Sequence, residues 1–210
     1  MIEYSKLPKE EKYNVISHAL GALLGIVGLV FLLVANTQNS GIAVFGILLY
    51  SFSLIALFVA STIYHAVSRS PLKERLRKVD HISIYFLIAG TYSPVALILL
   101  ATTSGWLLFS TVWSIAAIGT ILKLFFTGRF EYVSLGLYAL MGWLIIFDIE
   151  NLKAVTSNAG LQLLFMGGIF YTVGIVFYVV KKIPYNHFIW HLFVLAGAFC
   201  HWLFIFLHVI

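Results

Sequence analysis

Residues 186–208 read NHFIWHLFVLAGAFCHWLFIFLH. After its polar start the run is almost wholly apolar, and it is long enough to cross a bilayer as one helix, which takes ~20 mostly apolar residues. Two histidines, His187 and His191, stand four positions apart where the chain would enter lipid. Residues at i and i+4 lie one above the other on a helix face, a spacing that suits two imidazoles on one metal ion. The same pair would also be tolerated at a membrane surface. The remaining sequence has to separate these readings.

Composition settles the class. Of 210 residues 61% are hydrophobic and 10% charged, against about 45–50% and about 25% in ordinary soluble chains. The chain is therefore an integral membrane protein of all-α class. Seven apolar runs are predicted to span, at 15–35, 42–66, 82–101, 105–126, 132–148, 159–181 and 186–208. Little chain remains outside them, so residues 1–210 are expected to form a single seven-helix transmembrane domain with a short tail at 1–14. The first run exceeds the ~7–15 residues of a signal-peptide core, and no small-x-small site follows it, so it is expected to be retained. Cys200 is the only cysteine, which excludes an internal disulfide.

Twelve of the 13 lysines and arginines fall in the N-terminal tail and the even-numbered loops; only Lys153 lies on the other side. Basic residues accumulate on the cytoplasmic side of a membrane. The N-terminus is thus expected inside and the C-terminus outside, in a multi-pass plasma-membrane protein. The net charge of +5 lines one membrane face, and nucleic acid is not an expected partner. The loop at 69–78, in RSPLKERLRK, could attract anionic headgroups at ~1 kcal/mol per basic residue or serve only to fix topology.

With orientation assigned, polar residues acquire depths. His65 ends the second run, Asp80 and His81 precede the third, and His187 and His191 begin the seventh, all in the inner leaflet. Asn14 and His18 fall at a similar level. Ionisable groups inside spans are functional candidates because burying them unpaired is costly. His65, His187 and His191 could be three nitrogen ligands of zinc, with Asp80 holding water or orienting a ligand and Ser61 hydrogen-bonding on the face of His65. Each of these residues also has a structural reading as a cap or interfacial group. His81 points about 100° away from Asp80 and is left out of the set. His201 is expected to bond between helices, and His208 to lie at the outer interface. Gly21, Gly25 and Gly28 are read as close helix contacts, and Pro94 as a kink.

The segments EKYNVISHALGALLG, STIYHAVSRSPLKERLRKVDHISIYFLIAGTYSP and HFIWHLFVLAGAFCHW together resemble the haemolysin III-like proteins of the progestin and adipoQ receptor superfamily. The shared spacing is a serine four before a histidine, an aspartate fifteen after it, and a late H-x-x-x-H. The resemblance implies seven helices, a cytoplasmic N-terminus and an intramembrane zinc on His65, His187 and His191, with Asp80 reaching it through water and Ser61 nearby. Unlike the hormone-receptor members, the chain has only a short N-terminal tail, and its outer loops NTQNSG and TTSG offer no platform for a large ligand.

Three functions follow as expectations. One is a zinc-dependent hydrolase acting on a lipid amide or ester in the inner leaflet, with membrane lipid as substrate and Asp80 as proton acceptor; similarity to ceramidases in the superfamily supports this by analogy. Another is a non-catalytic sensor or homeostasis protein with a structural zinc and lipid as ligand. Lysis or transport is the third. Seven permanent spans argue against an exported toxin, and the absence of charge in the middle of any span argues against ion coupling.

Overall fold

The computed structural model describes Ser5 and residues 7–38, 40–68, 71–126 and 130–210. Among them all regular structure is helical: α1 (Lys9–Ala35), α2 (Gly41–Ala66), α3 (Pro71–Pro94), α4 (Gly105–Phe126), α5 (Glu131–Trp143), α6 (Ile149–Val155), α7 (Asn158–Val179) and α8 (Asn186–His208). A π turn at Val95–Leu99 extends α3, and a 3₁₀ turn at Leu144–Asp148 joins α5 to α6. These make seven spans long and apolar enough to cross a membrane. Lys6, Arg69 and Arg129, three of the basic residues counted above, lie outside the described residues.

Three boundaries differ from expectation. The first span begins at Lys9, so residues 9–14 belong to a helix and not to a tail. The third begins at Pro71, which turns most of the expected loop at 69–78 into two helical turns. Proline suits a first helical position, because its missing N–H would be unpaired there anyway. The fifth span continues past 148 to Val155 through the 3₁₀ turn. In each case a charged segment is helical, because backbone hydrogen bonding is favoured near lipid whatever the side chains carry.

The exterior is apolar, as lipid requires. Phe147 is 86% exposed, and Leu107 and Phe125 are almost as open. The interior stripe is the more polar one. On α1 it comprises Asn14, Ser17, His18, Gly21, Gly25, Gly28 and Leu32. The glycines admit close packing: a Cβ on Gly21 would meet Phe58 at 2.7 Å, on Gly25 Ile55 at 3.1 Å, and on Gly28 the Trp202 indole nitrogen at 2.6 Å. They thus hold α1 against α2 and α8, as expected of small residues between membrane helices.

Away from the end where α1 begins, α2 and α7 are each started by a serine cap. The Ser40 and Ser157 hydroxyl oxygens accept from the Ala43 and Gly160 backbone N–H groups, both at 3.1 Å. Pro94, expected as a kink, ends the regular part of α3 at the π turn. Tyr92, just before it, donates to the Gly142 carbonyl and accepts from the Ile145 N–H, both at 3.1 Å. The break in the fifth span is thereby tied to the break in the third. The α5 helix meets α3, α4 and α7 only sparsely, and a cavity of about 450 Å³ lies between α2, α3, α5, α7 and α8.

Close packing at α1 gives a direct test. Gly28→Val should destabilise the bundle by about 1–3 kcal/mol, the usual range for overpacking, and lower its thermal midpoint in detergent. Gly136→Ala, on an open surface, should leave that midpoint unchanged.

Candidate metal centre

The near end of the bundle, where α1 starts, collects the last turn of α2 and the first turns of α3, α5 and α8. His65 lies in that last turn of α2. His187 and His191 lie in the opening turns of α8, which are pinned from two sides. Asn186 Nδ2 donates to the Phe177 carbonyl at the end of α7 (2.8 Å), and the His187 N–H donates to Glu10 of α1 (3.1 Å). Glu10 satisfies one of the donors that any helix start leaves unpaired. Tyr185, with φ of 54°, makes the sharp turn into α8.

One donor atom from each of His65, His187 and His191 lies within 4.8 Å of the others, so the group could hold a metal ion. Their tautomers follow from the surrounding bonds. His65 Nδ1 lies 2.5 Å from Glu11 Oε2, so it donates its proton to that carboxylate. The longer 3.4 Å approach of Asn14 Nδ2 to the same nitrogen is then a contact between two donors. The Ser17 hydroxyl spends its proton on the Asn14 carbonyl at 3.0 Å, so towards His191 Nδ1, at 3.3 Å, it can only accept. Both rings therefore carry the proton on Nδ1 and keep a lone pair on Nε2. The His65 Nε2 atom is buried with no hydrogen-bond partner. A histidine that gives one N–H to a carboxylate and leaves the other nitrogen open is the usual arrangement of a metal ligand, and these residues fit such an ion.

Asp80 and Ser61 line the cavity together with His187 and His191. Ser61 and His65 are the neighbouring side chains that act on the Asp80 carboxyl group. Asp80 is not among the mutually close donor atoms, which are all histidine nitrogens. Three of the histidines left out of the set have other partners. His81 faces Glu131 at 3.7 Å, His201 Nε2 meets the Leu164 carbonyl at 3.1 Å, and His208 meets Ser157 at 3.2 Å.

Four contributors escaped the sequence reading: Glu10, Glu11, Ser17 and Lys73. Glu11 is the most consequential, since its second oxygen accepts from Lys73 Nζ at 2.9 Å and so ties α1 to both α2 and α3. Its position was available: residues 11, 14, 18, 21, 25 and 28 follow helical spacing along one face. Treating 1–14 as a tail hid the first member. His18, placed at the right depth but given no role, stacks on His191 with centroids 3.5 Å apart and planes 7° apart. Neither of its ring nitrogens has a partner.

Loss of a carboxylate that orients a ligand typically weakens metal affinity about 10–100-fold. Glu11→Ala should weaken metal binding within that range in a chelator competition, and Glu11→Gln by less. Unchanged affinity in Glu11→Ala would remove Glu11 from the centre.

Comparison with known proteins shows the family of the chain. The family described as Haemolysin-III related matches residues 7–202. A hemolysin-3 homolog of Bacillus subtilis is 44% identical over 191 residues, covering 90% of each chain. Hemolysin-3 of Bacillus cereus is 40% identical over 199 residues, covering 94% of this chain and 91% of the relative. The human monocyte to macrophage differentiation factor is 35% identical over 169 residues, 73% of this chain and 66% of its own. With seven membrane-spanning helices and a family match that runs through nearly all of them, the chain belongs to the haemolysin III-related family.

Proposed function

We propose that the protein is a zinc-dependent hydrolase of a lipid amide or ester, working at the cytoplasmic side of the plasma membrane. One observation carries this reading: two of the three clustered histidines, His187 and His191, line a cavity that also presents Asp80 and Ser61 and is otherwise mainly apolar. A volume of about 450 Å³ falls in the ~300–1,000 Å³ range of small-molecule sites. His65, His187 and His191 would hold the ion. Bound zinc polarises a carbonyl group and lowers the pKa of water towards ~7.

The protein's own groups divide the remaining work. Glu11 and Ser17 fix the rings of His65 and His191 with their Nε2 lone pairs open. The Asp80 carboxylate accepts a proton and returns it to the leaving amine or alcohol, while Ser61 orients that carboxylate. Leu57, Ile84, Ile88 and Val194 exclude water and receive the acyl chain. The relatives' printed names describe lysis and cell differentiation; neither names a reaction. A second reading, a sensor with a structural zinc, draws support from the placing of Asp80 and Ser61 on one cavity wall, which would brace a non-reactive site equally well.

Two experiments bear on this reading. Zinc should be present at about one ion per chain, lost when His187 and His191 are both changed to alanine, and retained in Asp80→Asn. Asn cannot accept the proton, so lipid turnover in Asp80→Asn should fall by on the order of 10²-fold or more. Retention of both zinc and full turnover would exclude Asp80 as the base and favour the sensor. The orientation is tested separately: a reporter on the N-terminus should face the cytoplasm and one after Ile210 the outside. Both reporting from one side would refute the depth assignment.

A further inference from the structure

Two cations at the near end of the cavity take no part in holding the histidines. Arg77 lines the cavity three residues before Asp80 on α3, or ~4.5 Å nearer that end. Among the described residues its buried Nε has no hydrogen-bond partner and the side chain forms no ion pair. Lys181, in the turn between α7 and α8, lines the same cavity with its ammonium 4.6 Å from the centre of the Tyr178 ring. The acids facing this mouth already have nearer partners, although the charge of Arg77 also acts on Glu131. Glu131 is held by Lys123 at 3.1 Å and His81 at 3.7 Å, and Asp80 faces Ser61 and His65. An unpaired buried guanidinium nitrogen is costly, and an oxyanion is what a planar fork of N–H groups binds best.

We propose that Arg77 and Lys181 bind the anionic headgroup, phosphate or carboxylate, of a single-chain acyl lipid whose chain fills the apolar part of the cavity. The order along the cavity is then cations, histidines with Asp80, and hydrocarbon. The group cleaved in any reaction would lie next to the anionic head, which makes the leaving group a small acidic alcohol or amine. This inference rests on the cavity being the lipid site of the proposed function, but not on hydrolysis.

The test is direct binding to the full-length protein in neutral detergent. Trp143 and Trp190 line the cavity, so a lipid with a brominated chain reports occupancy by quenching their fluorescence. The probes are ether-linked lysophosphatidate, an N-acylglycine, an ether-linked monoalkylglycerol and inorganic phosphate. The two anionic lipids should bind about tenfold or more tighter than the neutral one, the effect of a charge-assisted hydrogen bond. Arg77→Gln and Lys181→Gln should each remove most of that preference while leaving the neutral lipid's affinity unchanged, and Arg75→Gln, outside the cavity, should keep it. Displacement of the anionic lipids by millimolar phosphate would identify the phosphate group alone as the ligand; displacement by neither phosphate nor glycine assigns the binding to the intact lipid.

Equal affinity for anionic and neutral lipids overturns the proposal. So does a preference that survives Arg77→Gln and Lys181→Gln together, or one lost equally in Arg75→Gln, which marks adsorption to the basic surface. If Arg77→Gln fails to fold, Lys181→Gln decides alone, and full preference in it is contradictory. Asp80→Asn, inactive under the hydrolase reading, should retain the preference, so failure of the headgroup site and failure of catalysis are separately visible.

Discussion

Glu11 lies between a histidine and a lysine, 2.5 Å from His65 Nδ1 and 2.9 Å from Lys73 Nζ, and the near end of the bundle is organised around that bridge. In a membrane the apolar exterior contributes little to bringing helices together, since lipid is as apolar as the side chains facing it. Polar contacts and close approach must do so. The bridge joins α1, α2 and α3, and Glu10 one residue earlier joins α1 to α8. Four spans thus meet through two adjacent carboxylates on α1. The three clustered histidines lie where they meet.

The same constraint accounts for what the sequence disclosed and what it concealed. Seven apolar runs and the shared depth of His65, His187 and His191 were legible, because span length and basic asymmetry assign every loop to one side of the membrane. Gly21, Gly25 and Gly28 were legible as contacts for a similar reason: small residues at helical spacing have few other uses in lipid. The charged starts of α1 and α3 were not. Lys9 to Tyr13 and Pro71 to Lys78 read as loops by hydropathy, yet both are helical. Their charges pair across helices, as Glu11 does with Lys73, or reach backbone, as Lys78 does with the Leu124 carbonyl. Pairing partners distant in sequence leave no local signal. The break at Leu144–Asp148 was hidden too, since it depends on Tyr92 two spans away.

The site and the cavity make a graded path. Cations stand at the near end, histidines and Asp80 beyond them, and hydrocarbon side chains deeper still. Such a path suits a lipid that keeps its head at the membrane surface and extends its chain into the bundle. It suits a soluble substrate poorly, because the far walls would then face water. The sparse contacts of α5 leave a weakly held helix beside the cavity.

The central claim is that three imidazoles, two of them set by Glu11 and Ser17, bind one zinc ion and leave a position open. Zinc-edge X-ray absorption on the purified protein reads this directly. The account predicts about three imidazole nitrogens at ~2.0–2.1 Å with one further light donor, and loss of the imidazole scattering in His65→Ala. A shell made of oxygens alone, or an imidazole signal unaltered by that substitution, would contradict it.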